Sequence, residues 1–166
     1  LKNVKLSIGA KIILYKVLKP ELYGVAKINK NKKVIQIKEK PKKFLSDLAI
    51  TGLYFFDNKV IEYSKKLKPS KRGEIEIVDL ISKYKKNNSL SADLIGRGGA
   101  WLDTGSIEDF YKTSAFVSAI ENRQGLKIAC LEEIALSNNW ISKKDILNSI
   151  KFYGNCDYSN YLKGLI

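Results

Sequence analysis

The apolar positions change period as the chain proceeds, and the changes divide it. Lys11-Ile12-Ile13-Leu14-Tyr15-Lys16-Val17 is an apolar run bounded by Gly9 and Pro20, which predicts a buried strand. Tyr23 to Ile28 alternates in part, Asn29-Lys30-Asn31-Lys32 reads as a turn, and Val34, Ile35 and Ile37 form the second arm of a hairpin. Leu48 to Phe56, rich in β-branched and aromatic residues, is the strongest strand signal. Helical spacing then takes over. Asp57 is placed to cap a helix through Val60, Ile61, Tyr63 and Leu67 that ends before Pro69. Ile75, Val78, Leu80, Ile81 and Tyr84 predict a second helix after Gly73, with Lys85-Lys86 in its last turn, where the dipole favours cations.

Leu90 to Ile95 reads as a strand, Gly96-Arg97-Gly98-Gly99 as a loop, and Ala100 to Asp103 as a short strand ending in a turn. Ser106 caps a long helix with Ile107, Phe110, Ala115, Val117 and Ile120 on its inner side, and Gly125 stands at the C′ position. Three short helices follow, about Leu131–Ser137, Ser142–Ile150 and Tyr158–Leu165, with Ser142 and Asp157 as caps of the last two. Mixed strands and helices followed by a helical tail predict an α/β fold with a C-terminal helical appendage.

Composition narrows the chemistry more than the fold. With 166 residues and 45% apolar content, the chain supports one core and is not wholly disordered. No apolar run approaches the ~18 residues of a membrane span. The segment from Lys2 to Leu18 alternates too much for a signal-peptide core. The first residue is Leu1 and there is no Met, which leads us to expect a fragment of a longer protein. There is no His, so triads built on His are excluded, and Cys130 and Cys156 make neither a zinc site nor a disulfide framework. Chemistry here must use carboxylates, Lys, Arg, backbone dipoles or an oxygen-held metal. The net charge of +13 suggests anionic partners, but the lysines are scattered and read mostly as a solvated surface, with neither nucleic acid nor membrane expected.

No GxxxxGK[ST] string occurs, and Gly96-Arg97-Gly98-Gly99 does not complete GxGxxG, so no nucleotide cradle is visible. Lys40, between Glu39 and Pro41, is expected in an extended conformation that projects it from a sheet edge. On its own it reads as a surface lysine. Arg72-Gly73-Glu74 precedes a helix start, a natural anion site, and Arg72 is as readily a loop-tip residue as a phosphate ligand. Asp103, after Trp101-Leu102 and before Thr104-Gly105, reads as a turn cap or as one oxygen ligand of Mg²⁺.

Tyr23-Gly24, Glu39-Lys40-Pro41, Thr51-Gly52-Leu53-Tyr54, Arg72-Gly73-Glu74 and Trp101-Leu102-Asp103-Thr104-Gly105 occur in one order. Taken together they resemble the sugar-phosphate half of the sugar-1-phosphate nucleotidylyltransferase family, and within it the glucose-1-phosphate thymidylyltransferases. Asn122-Arg123-Gln124-Gly125-Leu126-Lys127, Glu132-Glu133-Ile134-Ala135, Trp140 and Tyr161-Leu162 continue the resemblance. It covers somewhat more than the C-terminal half of such an enzyme. It implies part of a Rossmann-like mixed sheet without its N-terminal strands, a core over 1–125 and a helical segment over 126–166. It implies a cytoplasmic, homo-oligomeric (dimeric or tetrameric) enzyme that joins glucose 1-phosphate and dTTP into dTDP-glucose and pyrophosphate, for dTDP-rhamnose synthesis. Gly24 and Glu39 would bind glucose hydroxyls, with Tyr23, Ile50 and Thr51 lining the pocket and Trp101 beside it. Lys40 and Arg72 would hold the sugar phosphate, and Asp103 would bind Mg²⁺ with a second Asp from the half not seen here. Arg97, Cys130, Glu133 and Ile134 fall where the family draws a second, regulatory nucleotide site. The triphosphate loop and the base-reading segment have no counterpart, so the isolated chain is expected to be inactive. The alternatives are a UTP- or ATP-using relative, or a non-catalytic sugar-phosphate-binding or assembly module.

Overall fold

The structure is a computed structural model describing residues 9–70 and 73–166. It divides into two compact units, one ending at Trp101 and the other running Leu102–Ile166.

The first unit is a five-stranded mixed sheet. Its strands are β1 (Ala10–Lys16), β2 (Gly24–Ile28), β3 (Val34–Glu39), β4 (Leu48–Phe56) and β5 (Leu90–Leu94), in the order β3-β2-β4-β1-β5. Only β1 and β5 pair in parallel; β1–β4, β2–β3 and β2–β4 are antiparallel. The central strand β1 is a continuous apolar run because both of its faces are covered: Ile12 and Leu14 are fully buried and Ile13 nearly so. Ile12, Leu14, Ala26, Val34, Ile50 and Ala92 form the main core with Ile81 of α2 (Ile77–Lys86). A bulge shifts the β1–β4 register between Ile12, opposite Tyr54, and Leu14, opposite Ile50.

A second cluster joins α2 to α1 (Lys59–Lys65): Ala10, Leu80 and Tyr84 pack with Val60, Tyr63 and Leu67. The Tyr84 hydroxyl donates to Asp57 Oδ1 at 2.8 Å, and the Gly9 N–H donates to Asp57 Oδ2 at 2.8 Å. Lys59 N–H also reaches Asp57, at 3.1 Å, so Asp57 ties the start of α1 to the sheet although the N-cap position itself is Asn58. The Gly9 amide is the main reason its carboxyl lies below the ordinary Asp range. Tyr84→Ala empties the middle of this cluster and is expected to cost about 3–5 kcal/mol, read as a lower urea midpoint at unchanged slope.

The second unit is helical: α3 (Ile107–Gln124), α4 (Leu131–Ser137), α5 (Lys143–Tyr153) and α6 (Asp157–Lys163). Ser106 caps α3 by accepting the Asp109 N–H at 3.0 Å, and Gly125 ends it at φ 69°. Ser142 and Asp145 form a reciprocal capping box on α5. Cys130, Ile146 and Leu162 are this unit's small core.

Several expectations are corrected. Ala100–Asp103 is not a strand: the backbone there joins no ladder, and Trp101 is held by its ring instead. Ile75 lies before α2, 63% exposed, because the helix starts only after the extended Glu76. The predicted inner side of α3 is not inside, since no residue of α3 is buried and Ile107 and Phe110 are exposed. Asp157 does not cap α6; Cys156 does, its sulfur accepting the Ser159 N–H at 3.5 Å.

Candidate functional site

The β2–β3 hairpin sets the geometry. Gly24 opens β2 and stands opposite Glu39 at the end of β3. The two side chains of such a pair share one face. Having no side chain, Gly24 leaves that space to the Glu39 carboxylate: a Cβ on Gly24 would come within 2.8 Å of Glu39 Oε2 and 3.2 Å of Val78 Cγ2. Glu39 is thereby laid over bare backbone with Val78 of α2 as a wall. Gly24→Ala is expected to displace the Glu39 carboxylate and to lower stability by about 1–3 kcal/mol through the overpacking, read as a lower urea midpoint.

Lys40 follows directly. Its expected extended conformation is not found; its φ is +37°, a region costly for a side-chain-bearing residue. The Lys40 N–H donates to the Tyr23 carbonyl at 3.0 Å, extending the ladder one step beyond Gly24–Glu39 and turning the chain sharply into Pro41. Lys40 and Glu39 line an open cavity of about 440 Å³ together with Ser70, Glu76, Val78 and Asp79. Ser70 Oγ donates to Glu76 at 3.0 Å, and the Ser70 N–H to the Glu74 carbonyl at 2.8 Å. Arg72, expected in the phosphate grip, lies outside the described residues.

Tyr23 meets Trp101 edge to face, with ring centroids 5.1 Å apart, and Tyr15 approaches the same indole at 6.1 Å. Trp101 is therefore fixed by β1 and by the turn into β2. Ile50 and Thr51, expected to line the pocket, are buried: Ile50 packs in the main core, and the Thr51 hydroxyl donates to the Ile13 carbonyl at 3.1 Å. Tyr54 closes the string Thr51-Gly52-Leu53-Tyr54 but has no expected role of its own; it is half-buried against the main core. Burial above all, and then the charge of Glu39, push its phenol pKa up.

Asp103 belongs to the helical unit and is exposed. Its carboxylate folds over Gly105, where an added Cβ would lie 3.2 Å from Oδ2. Among the described residues no three His, Cys, Asp or Glu groups gather into a metal site. Asp103 fits a Mg²⁺ that takes one carboxylate here and its other oxygens from elsewhere, as Mg²⁺ commonly does with phosphates.

Of the second set of candidates, Arg97 lies in the sheet unit and lines a 570 Å³ cavity with Tyr15, Lys16 and Leu94. Cys130, Glu133 and Ile134 lie in the helical unit. There Cys130 is buried with its sulfur 3.2 Å from the Tyr158 hydroxyl, Glu133 accepts the Tyr161 hydroxyl, and Ile134 is exposed.

The family model described as nucleotidyl transferase matches residues 2–120. The chain belongs to that family. Among curated relatives, the glucose-1-phosphate thymidylyltransferase of Neisseria gonorrhoeae is 47% identical over 158 residues, 95% of this chain and 55% of the relative. The enzyme of the same name from Xanthomonas campestris is 43% identical, covering 95% and 53%. The chain thus spans about half the length of the curated relatives it matches. A crystal structure of a Bacillus anthracis protein assigned as a glucose-1-phosphate thymidylyltransferase, in complex with sucrose, aligns at TM-score 0.59 and 43% identity, covering 66% of this chain and 44% of that one. A UDP-glucose pyrophosphorylase complexed with UDP-glucose aligns at 0.57 and 25% identity, covering 65% and 43%. The five-stranded mixed sheet with its helices is therefore an α/β nucleotidyltransferase fold seen in part.

Proposed function

We propose that this chain supplies the sugar-phosphate and metal side of a glucose-1-phosphate thymidylyltransferase. The observation that carries the reading is the Gly24–Glu39 pair, a carboxylate laid over bare backbone with Lys40 lining the same cavity, inside the segment the family model matches. A carboxylate beside backbone suits sugar hydroxyls, and a neighbouring cation suits the phosphate that such a sugar carries. Glu39 and Gly24 take the hydroxyls, Tyr23 and Trp101 form the wall, and Ile50 and Thr51 support the floor from beneath. Lys40 and Arg72 hold the phosphate.

In the reaction, a phosphate oxygen of glucose 1-phosphate attacks the α-phosphorus of dTTP. The new P–O bond forms as the bond to the β-phosphate oxygen breaks, and pyrophosphate leaves with that electron pair. The nucleophile is already an anion, so no general base is needed, which agrees with a chain that has no His. Lys40 and Arg72 position the nucleophile and offset its charge, and Asp103 would help hold Mg²⁺, which neutralises phosphate charge when bound. We keep residues 1–125 as the core part and 126–166 as the appendage, following the family match that ends at residue 120, although the compact units divide earlier, after Trp101. Arg97, Cys130, Glu133 and Ile134 are candidates for a regulatory nucleotide site. The assembled enzyme is taken to be a cytoplasmic homo-oligomer; among the described residues no helix is long and apolar enough to cross a membrane.

A UTP-using relative is the second reading, motivated by the UDP-glucose pyrophosphorylase likeness, but the 43–47% identities lie with thymidylyltransferases. Calorimetry of this chain with glucose 1-phosphate is the direct test. Binding that Lys40→Ala removes is expected, together with no pyrophosphate release when dTTP and Mg²⁺ are added. Absence of sugar-phosphate binding, or binding indifferent to Lys40, would sink the assignment.

A further inference from the structure

The opposite end of the same hairpin carries a separate charge feature. Residues 25–38 and 80–92 contain neither Asp nor Glu, and all their cations are lysines. The fold brings these two stretches together: α2 packs beside β3, and Lys33 Nζ donates to Asn88 Oδ1 at 3.2 Å just past the end of α2. Lys30, Lys32 and Lys33 at the hairpin tip thus stand near Lys85 and Lys86 in the last turn of α2, while Lys83 of that turn is engaged with α1, its Nζ donating to the Tyr63 carbonyl at 3.0 Å. The tip is a built turn: Asn29 Oδ1 accepts the N–H groups of Asn31 and Lys33 at 3.0 and 2.9 Å. Lys30, Lys32, Lys33 and Lys86 are exposed, and none of these five lysines is in an ion pair among the described residues.

Lysines held together without carboxylates repel one another and lower that cost against a polyanion. Steering of substrate to the Glu39–Lys40 site is too remote an explanation. The tip is roughly 15 Å from Gly24 along β2, beyond the ~8 Å Debye length at physiological salt. A second copy would present like charge. Nucleic-acid surfaces lean on Arg forks and exposed stacking aromatics; these stretches hold no Arg, and their one aromatic, Tyr84, is buried. An anionic bilayer asks only for summed charge on flexible stems, and clusters of roughly four to eight lysines suffice. Ile35, 44% exposed beside the tip, adds an apolar contact.

We propose that this lysine-bearing end of the sheet unit docks on an anionic phospholipid surface. It is a peripheral contact, and it revises the expectation of no membrane partner drawn from lysines that look scattered in sequence. It does not depend on the assigned reaction.

Vesicle co-sedimentation tests it, with phosphatidylcholine alone and with phosphatidylcholine containing phosphatidylglycerol. The chain is expected to sediment only with the anionic vesicles and to be released by high salt. Lys30→Glu/Lys32→Glu/Lys86→Glu is expected to lower partitioning at least about tenfold, and the corresponding Gln triple to lower it in the same direction. Lys144→Glu/Lys151→Glu/Lys163→Glu, the same charge change placed on the helical unit, is expected to leave most binding intact. No binding to anionic vesicles overturns the proposal. So does equal loss in the two Glu triples, which would mean diffuse charge, or tighter binding to duplex DNA or single-stranded RNA at equal phosphate.

Discussion

Lys40→Ala and Arg72→Ala are each expected to lower kcat/KM by roughly two to four orders of magnitude in an enzyme carrying the full length of the relatives. That is the scale of losing about 3–5 kcal/mol of transition-state stabilisation. In the proposed reaction the attacking group is a phosphate, so the cost of bringing it up to a triphosphate is mostly charge repulsion, and each cation removed returns part of that cost. Lys40 has a further reason to matter. Its backbone sits at φ +37°, held by the N–H bond to the Tyr23 carbonyl, so the fold tolerates local strain at the residue whose ammonium follows Glu39. Lys40→Gly relieves the strain and removes the charge. It should therefore be at least as stable as wild type in urea while losing activity like Lys40→Ala. Near-wild-type kinetics in Lys40→Ala and Arg72→Ala together would return both residues to ordinary surface positions.

The sequence was most readable where a local rule acts alone. Leu48–Phe56 was bounded correctly because a stretch without charge, rich in β-branched and aromatic residues, runs between Asp47 and Asp57. Gly125 and Ser106 marked the ends of α3 because cap chemistry is settled within one turn. Misreadings arose where a distant partner decides. The pre-proline rule predicts extended backbone at Lys40, but the closing bond to Tyr23 overrides it. Ala100–Asp103 has strand composition, yet Trp101 is fixed by Tyr15 and Tyr23 from two other elements. The apolar spacing of α3 is real, but periodicity reports a side that asks for cover and not whether cover is present.

The site shows the same division. The strings Tyr23-Gly24 and Glu39-Lys40-Pro41 were each visible, but neither says that Gly24 stands opposite Glu39. That register follows from the turn at Asn29–Lys33 and supplies the physical reason for a glycine there. The string Thr51-Gly52-Leu53-Tyr54 was visible too, but it does not say which side chains the sheet covers: the Thr51 hydroxyl is buried on the Ile13 carbonyl and Tyr54 packs against the main core.

Asp103→Asn is expected to abolish most turnover in the full-length enzyme and to raise the Mg²⁺ concentration needed for what remains. Two roles compete for this residue, and the structure sharpens the contrast. Asp103 is not at the end of a strand; it lies in an irregular segment, exposed, with its carboxylate curled over Gly105 just before the Ser106 cap of α3. A side chain that only shapes this turn would be replaced well by Asn, which is isosteric and makes similar turn hydrogen bonds. Stability and rate would then change little. A magnesium ligand would not be replaced, because a neutral amide oxygen is a far weaker donor to a hard cation than a carboxylate. The separating measurement is the rate as a function of Mg²⁺, made alongside a thermal melt without metal. An unchanged melt with a rightward Mg²⁺ curve and a collapsed maximum identifies the ligand role. An unchanged curve and rate would leave Asp103 as a turn residue, and the metal would have to be held by other carboxylates.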